Sequence, residues 1–156
     1  MIEAIQSSGY QSVWVVTGGG SGAVHAMLSH PGASRFILEA QIPYSAAALL
    51  DYLGQPPDGY CSAQCARVLA EKAFARAVHL APDQNKAAPL IGIACTAALQ
   101  TTRRRRGSDR AHFCIHSGEQ ETHQMIELAA GSRADQEWTV SDALLRFVAS
   151  CLGVPE

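Results

Sequence analysis

The residues whose types and spacing best suit chemistry are Thr17, Gly18, Gly19, Gly20, Ser21 and Gly22, directly after the apolar run Val13-Trp14-Val15-Val16. Glycines let the backbone turn sharply and approach a ligand closely, because no Cβ stands in the way. A small-residue helix is predicted to follow over residues 23–28. Its first N–H groups have no partner within the helix, and the helix dipole adds partial positive charge there. A phosphate or carboxylate is the expected occupant of such a junction. Ser21 would add a hydroxyl and can cap the helix as well. The plain alternative is a tight strand-to-helix turn that binds nothing.

Other residue sets offer different chemistry. Gly18-x-Gly20-x-x-Ala23 follows a strand and opens a helix, and Glu39 lies about 20 residues on, as in a dinucleotide-binding fingerprint. The same stretch resembles the opening of short-chain dehydrogenases. Val24, however, stands where that family has its last glycine, and no Tyr-x-x-x-Lys occurs. An NAD(P)-binding fragment is therefore the lesser alternative. Cys95, next to Thr96 at a predicted strand end, can be a thiolate nucleophile activated by His25 or a small buried thiol. The consecutive arginines Arg103, Arg104, Arg105 and Arg106 can clamp a phosphate, sit in solvent, or form a subunit contact. They lack the interleaved aromatics that would stack nucleic-acid bases. His112, Cys114 and His116 alternate onto one strand face, but no fourth zinc ligand is evident, so no metal is expected. Glu119 and Glu121 fall at a turn and are expected to be solvated.

These residues must be carried by a domain of 156 residues, one unit by the usual prior of roughly 100–200. Apolar residues at 47% and charged residues at 17% describe a globular chain. The net charge of −2 gives no general affinity for nucleic acid. No apolar run approaches the ~18–20 residues of a membrane helix, and residues 1–4 lack a secretory signal's basic start. Five cysteines without a C-x-x-C pair point to reduced thiols and a cytoplasmic protein.

The pattern predicts alternating elements. Helices are expected over residues 2–8, 23–28, 45–53, 62–80 and from 132 to Gly153. Strands are expected over 12–16, 35–41, 90–95, 111–116 and 122–128, the last two antiparallel about a Ser117-Gly118 turn. Residues 82–89 read as a polar linker and 97–110 as a long loop. Ser62 can cap its helix, whose stripe is Cys65, Leu69, Ala73, Ala77 and Leu80. Arg67 and Glu71 form an i,i+4 pair on its outer face. Ser132 and Asp135 make an imperfect capping box for the last helix, with Trp138, Leu145, Val148 and Leu152 as its inner stripe. The expected architecture is a three-layer α/β/α single domain over residues 1–156 with a mixed sheet.

Five short motifs occur in order: the turn at Thr17, Pro31-Gly32-Ala33-Ser34, Tyr44-Ser45, Gly92-Ile93-Ala94 and Gly131-Ser132-Arg133. In this the chain resembles the C-terminal domain of the CinA family, the nicotinamide mononucleotide deamidase fold. The resemblance implies an amide (C–N) hydrolase of a pyridine nucleotide using a serine, a lysine and a tyrosine. The serine position is Thr17, whose methyl crowds attack and stiffens χ1. The lysine position is Ala48, so the base is missing. Tyr44 is retained and is implied to face the turn. Cys95-Thr96 replaces a Gly-Pro, and the following loop runs into the arginines.

The expected function is binding of a nucleotide or phosphorylated small molecule at Gly18, Gly19, Gly20, Ser21 and Gly22, with Cys95, Thr96, Arg103 and Arg105. Thr17 and Tyr44 are the candidate catalytic pair, and the family's reaction is lost or altered. The alternative is a catalytically silent binding or regulatory module. No cofactor, nucleic acid or membrane is expected, and a homo-oligomer is.

Overall fold

The computed structural model describes residues 1–81, 88–103 and 105–156. Arg104 and most of the predicted linker lie outside the described residues. Five strands form one mixed sheet in the order β2-β1-β3-β4-β5. β1 (Gln11–Val16) lies parallel between β2 (Ile37–Gln41) and β3 (Leu90–Ala98). β4 (Arg110–His116) and β5 (Glu121–Glu127) then add antiparallel to β3.

Helices cover both faces. On one side α1 (Ile2–Gln6), α2 (Ser21–Ser29) and α5 (Arg133–Leu152) pack on Trp14, Val16, Ile93, Phe113 and Ile115. On the other, α3 (Ala46–Leu53) and α4 (Ala63–Leu80) pack on Val13, Val15, Ala94 and Cys114. Successive strand residues face opposite layers, so one apolar run serves both cores. This is the three-layer α/β/α architecture that the sequence predicts.

Local signals act as expected at several ends. Ser45, Ser62 and Ser132 each accept a hydrogen bond from the backbone N–H three residues on, capping α3, α4 and α5. Gly54 and Gly153 close α3 and α5 in the left-handed conformation. Arg67 and Glu71 pair at 2.9 Å.

Other expectations are corrected. A 3-10 turn (Ala33–Arg35) takes the start of the predicted second strand. β3 runs on to Ala98, because Thr96, Ala97 and Ala98 pair with His112, Ala111 and Arg110. Trp138 is 71% exposed rather than part of the inner stripe of α5. It sits one residue, roughly 100° of helix rotation, beyond Glu137. Glu39 cannot serve a ribose: its carboxylate accepts from Arg76 Nε at 2.8 Å and Nη2 at 3.1 Å, and from Gln41. The Arg76 hydrogen bond holds its pKa below the ordinary value. With β4 and β5 antiparallel, the dinucleotide-fold alternative is not what the chain builds.

Among the glycines the least room is at Gly92, where α4 lies on the β3 backbone. A Cβ there would stand 2.1 Å from the Ala70 carbonyl oxygen and 2.3 Å from Phe74 N. Gly92→Ala is therefore expected to cost about 3 kcal/mol or more in urea unfolding. Gly131→Ala, with open space around it and no left-handed backbone, should leave the midpoint unchanged. Equal midpoints for the two variants would contradict this packing.

Candidate anion-binding site

The C-terminal ends of β1 and β3, the start of α3 and the loop from β3 to β4 enclose a cavity of about 530 Å³. Thr17, Gly19, Tyr44, Tyr60 and Cys61 line it, facing Arg105, Arg106, Arg110 and Arg133. No lysine, histidine or carboxylate is among its described lining residues. A smaller cavity of about 260 Å³, lined by Arg103 and Asp109, shares Thr101 and Arg105 with it.

Three of the four guanidinium groups are fixed mainly by backbone carbonyls. Arg110 donates to Ser108 O at 3.0 Å and Cys61 O at 2.8 Å. Arg133 donates to Gln100 O at 2.9 Å. Arg105 donates to Leu99 O at 2.7 Å and to the carboxylate of Asp109. Asp109 is held in turn by Gln136, 3% exposed, whose Nε2 donates to it at 2.8 Å. The same amide's oxygen accepts from Gln100 N at 2.7 Å, and Nε2 also donates to Ala129 O at 3.0 Å. One buried glutamine thus shapes both ends of the arginine loop.

The glycine turn lies alongside, but its donors are used internally. The sequence predicts these N–H groups for a ligand anion. In the structure Gly20 N donates to Glu137 Oε2 at 2.8 Å and Gly22 N to Oε1 at 2.9 Å. The hydroxyls of Ser21 and Ser141 donate to Oε1 at 3.3 and 3.1 Å. Glu137, from α5, is therefore the anion at the N-terminus of α2. Ser21 is not the cap, since Gly20 takes that position at φ 92°.

Internal packing also accounts for the run of glycines. A Cβ on Gly18 would meet the Tyr44 ring at 2.8 Å, one on Gly19 would meet Ala97 Cβ at 2.5 Å, and one on Gly22 would meet Ser141 Oγ at 2.7 Å. Tyr44 lies on the turn, as the resemblance implies, while remaining 69% exposed.

The remaining candidates are dispersed. Cys95 is fully buried, its thiol donates to Gly19 O at 3.3 Å, and burial pushes its pKa well up. His25 is exposed on α2, 3.4 Å from Ser29 Oγ, so the two make no nucleophile–base pair. Thr96 is fully buried, and its hydroxyl has no partner among the described residues. Neither Cys95 nor Thr96 lines the cavity. Cys61 does line it, but burial, opposed by Arg110, raises its thiol pKa. Ala48 stands exposed in the first turn of α3, its N–H on Ser45 Oγ at 3.1 Å.

The alternating trio on β4 separates as well. His112 stacks on His123 with 3.1 Å between ring nitrogens, and Cys114 is in the core with a pKa pushed up to about 12 by burial. His116 instead groups with Glu71 and Glu121, their ligand atoms within 4.8 Å of one another. Of those two acids, Glu71 comes from α4, whereas Glu121 stands opposite His116 across the β4–β5 pair.

No family model matches the sequence, and no curated protein matches it. Solved structures do. The chain superposes on the competence/damage inducible protein CihA from Agrobacterium tumefaciens with a TM-score of 0.73 and 18% identity, over 95% of this chain and 89% of that one. A competence or damage-inducible protein from Enterobacter asburiae gives 0.73 and 16%, over 96% and 94%. A competence-damaged protein (CinA) superfamily protein from Enterobacter cloacae gives 0.72 and 15%, over 95% and 86%. The chain has a CinA-like fold. In that fold the three motif residues Thr17, Tyr44 and Arg133, far apart in sequence, border one cavity. Among the described residues no helix is long and apolar enough to cross a membrane.

Two outcomes follow from the geometry. Glu137→Ala strips the partner from two backbone N–H groups and should cost about 2 kcal/mol of stability, with Glu137→Gln recovering part of it. Unchanged urea unfolding in Glu137→Ala would contradict the clamp. Under native conditions iodoacetamide should label the exposed Cys151 while Cys95 and Cys114 react only after unfolding, as read by peptide mass mapping.

Proposed function

We propose that this CinA-like chain binds a nucleotide or other phosphorylated small molecule in the arginine-lined cavity, with the deamidase reaction of its resemblance lost or altered. The observation that carries this is the lining itself. Four guanidinium groups face Thr17 and Tyr44, and among the described lining residues there is no lysine, histidine or carboxylate to take a proton. Guanidinium groups bind phosphate oxygens through paired N–H donors but do not deprotonate to act as bases. The cavity therefore favours binding over hydrolysis.

Thr17 and Tyr44 would flank the bound ring, and Arg103 and Arg105 would extend the charged wall into the smaller cavity. Gly18 and Gly19 contribute wall and backbone, whereas Gly20, Ser21 and Gly22 support the turn from behind through Glu137. If any hydrolysis remains, it would be of an amide or related C–N bond. The second reading, a silent binding or regulatory module, is favoured by the position of Ala48, which presents only a methyl where the resemblance places a lysine.

Purified protein is expected to release no ammonia from nicotinamide mononucleotide above the blank. Turnover typical of an intact family enzyme would overturn the reading, because another residue would then supply the base. Thermal shift tests binding separately: a ligand that binds only the folded state must raise its melting temperature. Nicotinamide mononucleotide and adenosine nucleotides are the probes. No shift with any nucleotide at millimolar concentration would contradict a nucleotide site.

A further inference from the structure

The charge of the cavity is more than one phosphate can balance. Arg105 is paired with Asp109. Among the described residues no carboxylate lies within 4.0 Å of Arg106, Arg110 or Arg133. Glu137, which shares an adjoining cavity with Arg133, already accepts from Gly20, Ser21, Gly22 and Ser141. Three unbalanced guanidinium groups from three places in the fold thus line one enclosure: the loop before β4, the start of β4 and the start of α5.

Two of the three are held there by neutral acceptors. Carbonyl oxygens of Cys61 and Ser108 orient Arg110, and that of Gln100 orients Arg133. A carbonyl fixes where a guanidinium points without cancelling its charge. Those two cations are therefore positioned in advance and left for something anionic. A phosphomonoester at about −1.5 to −2 leaves at least one of them unbalanced. A diphosphate ester, at roughly −3 by the same ionisation logic, matches all three.

Resting on the phosphate-binding reading above, we propose that the ligand carries two linked phosphates, as a nucleoside diphosphate does. The space supports the length: a second cavity of about 260 Å³, lined by Arg103, shares Thr101 and Arg105 with the cavity of about 530 Å³. The diphosphate lies along Arg106, Arg110 and Arg133. The base meets Tyr44 and Tyr60, which are 69% and 52% exposed and present aromatic surface at the mouth.

Calorimetric titration of the full chain with inorganic phosphate, inorganic pyrophosphate, AMP and ADP tests this. Pyrophosphate is expected to bind at least tenfold more tightly than phosphate, and ADP at least tenfold more tightly than AMP. In Arg133→Ser and in Arg106→Ser, both at exposed positions, the ADP preference should shrink while the ligand-free melting temperature stays unchanged. Equal affinity for ADP and AMP overturns the diphosphate proposal and leaves a single-phosphate site standing. An equal loss of AMP and ADP binding in both variants also overturns it. Failure of all four anions to bind overturns the phosphate reading together with this one.

Discussion

The site depends on two adjacent side chains in the first turns of α5. Glu137 gives its carboxylate to the glycine turn, and Gln136 gives its amide to the arginine loop. One helix thereby fixes both walls of the cavity. Three of these contacts, at Gly20, Gly22 and Gln100, replace water at backbone N–H groups that would otherwise lack a partner, and buried donors without partners are costly. Moving α5 by a fraction of a turn would release the glycine turn from one side and Asp109, and with it Arg105, from the other.

This arrangement separates two features that often coincide in α/β proteins. A glycine-rich turn at a helix N-terminus is usually the place where a phosphate binds. Here that place holds a carboxylate of the protein itself, and the glycines are required because Tyr44, Ala97 and Ser141 come too close for a Cβ. The positive charge of the cavity is supplied by side chains from the loop, β4 and α5. The turn remains a structural hub, but the electrostatics of the cavity come from arginine.

Much of the fold was legible because its signals are local. The unbroken run 13–16, the serine caps at Ser45, Ser62 and Ser132, and the glycines after α3 and α5 act within a few residues of themselves. Errors arose where tertiary context decided. β3 gained Thr96, Ala97 and Ala98 because β4 offered partners for them, which periodicity within the segment cannot reveal. Trp138 fits a helical stripe by spacing, yet it stands 71% exposed. Thr17, Tyr44 and Arg105, which motif and composition single out, line the cavity. Gln136 and Glu137 were missed, since they read as ordinary polar residues of a helix start and their partners lie up to 117 residues away. Arg110 reads in sequence as the end of a loop, and Arg133 as the last residue of a motif. Tyr60 and Cys61 carried no signal beyond their place before a capped helix.

The central claim is that an external anion meets the arginine wall while Glu137 keeps the glycine turn. Backbone amide shifts recorded by two-dimensional NMR during titration with inorganic pyrophosphate test it most directly. The account predicts shifts at Thr101, Arg105, Arg106 and Arg110, with the Gly20 and Gly22 amides unmoved. Large shifts at Gly20 and Gly22, with the arginine loop silent, would mean that the ligand displaces Glu137, and would contradict the account.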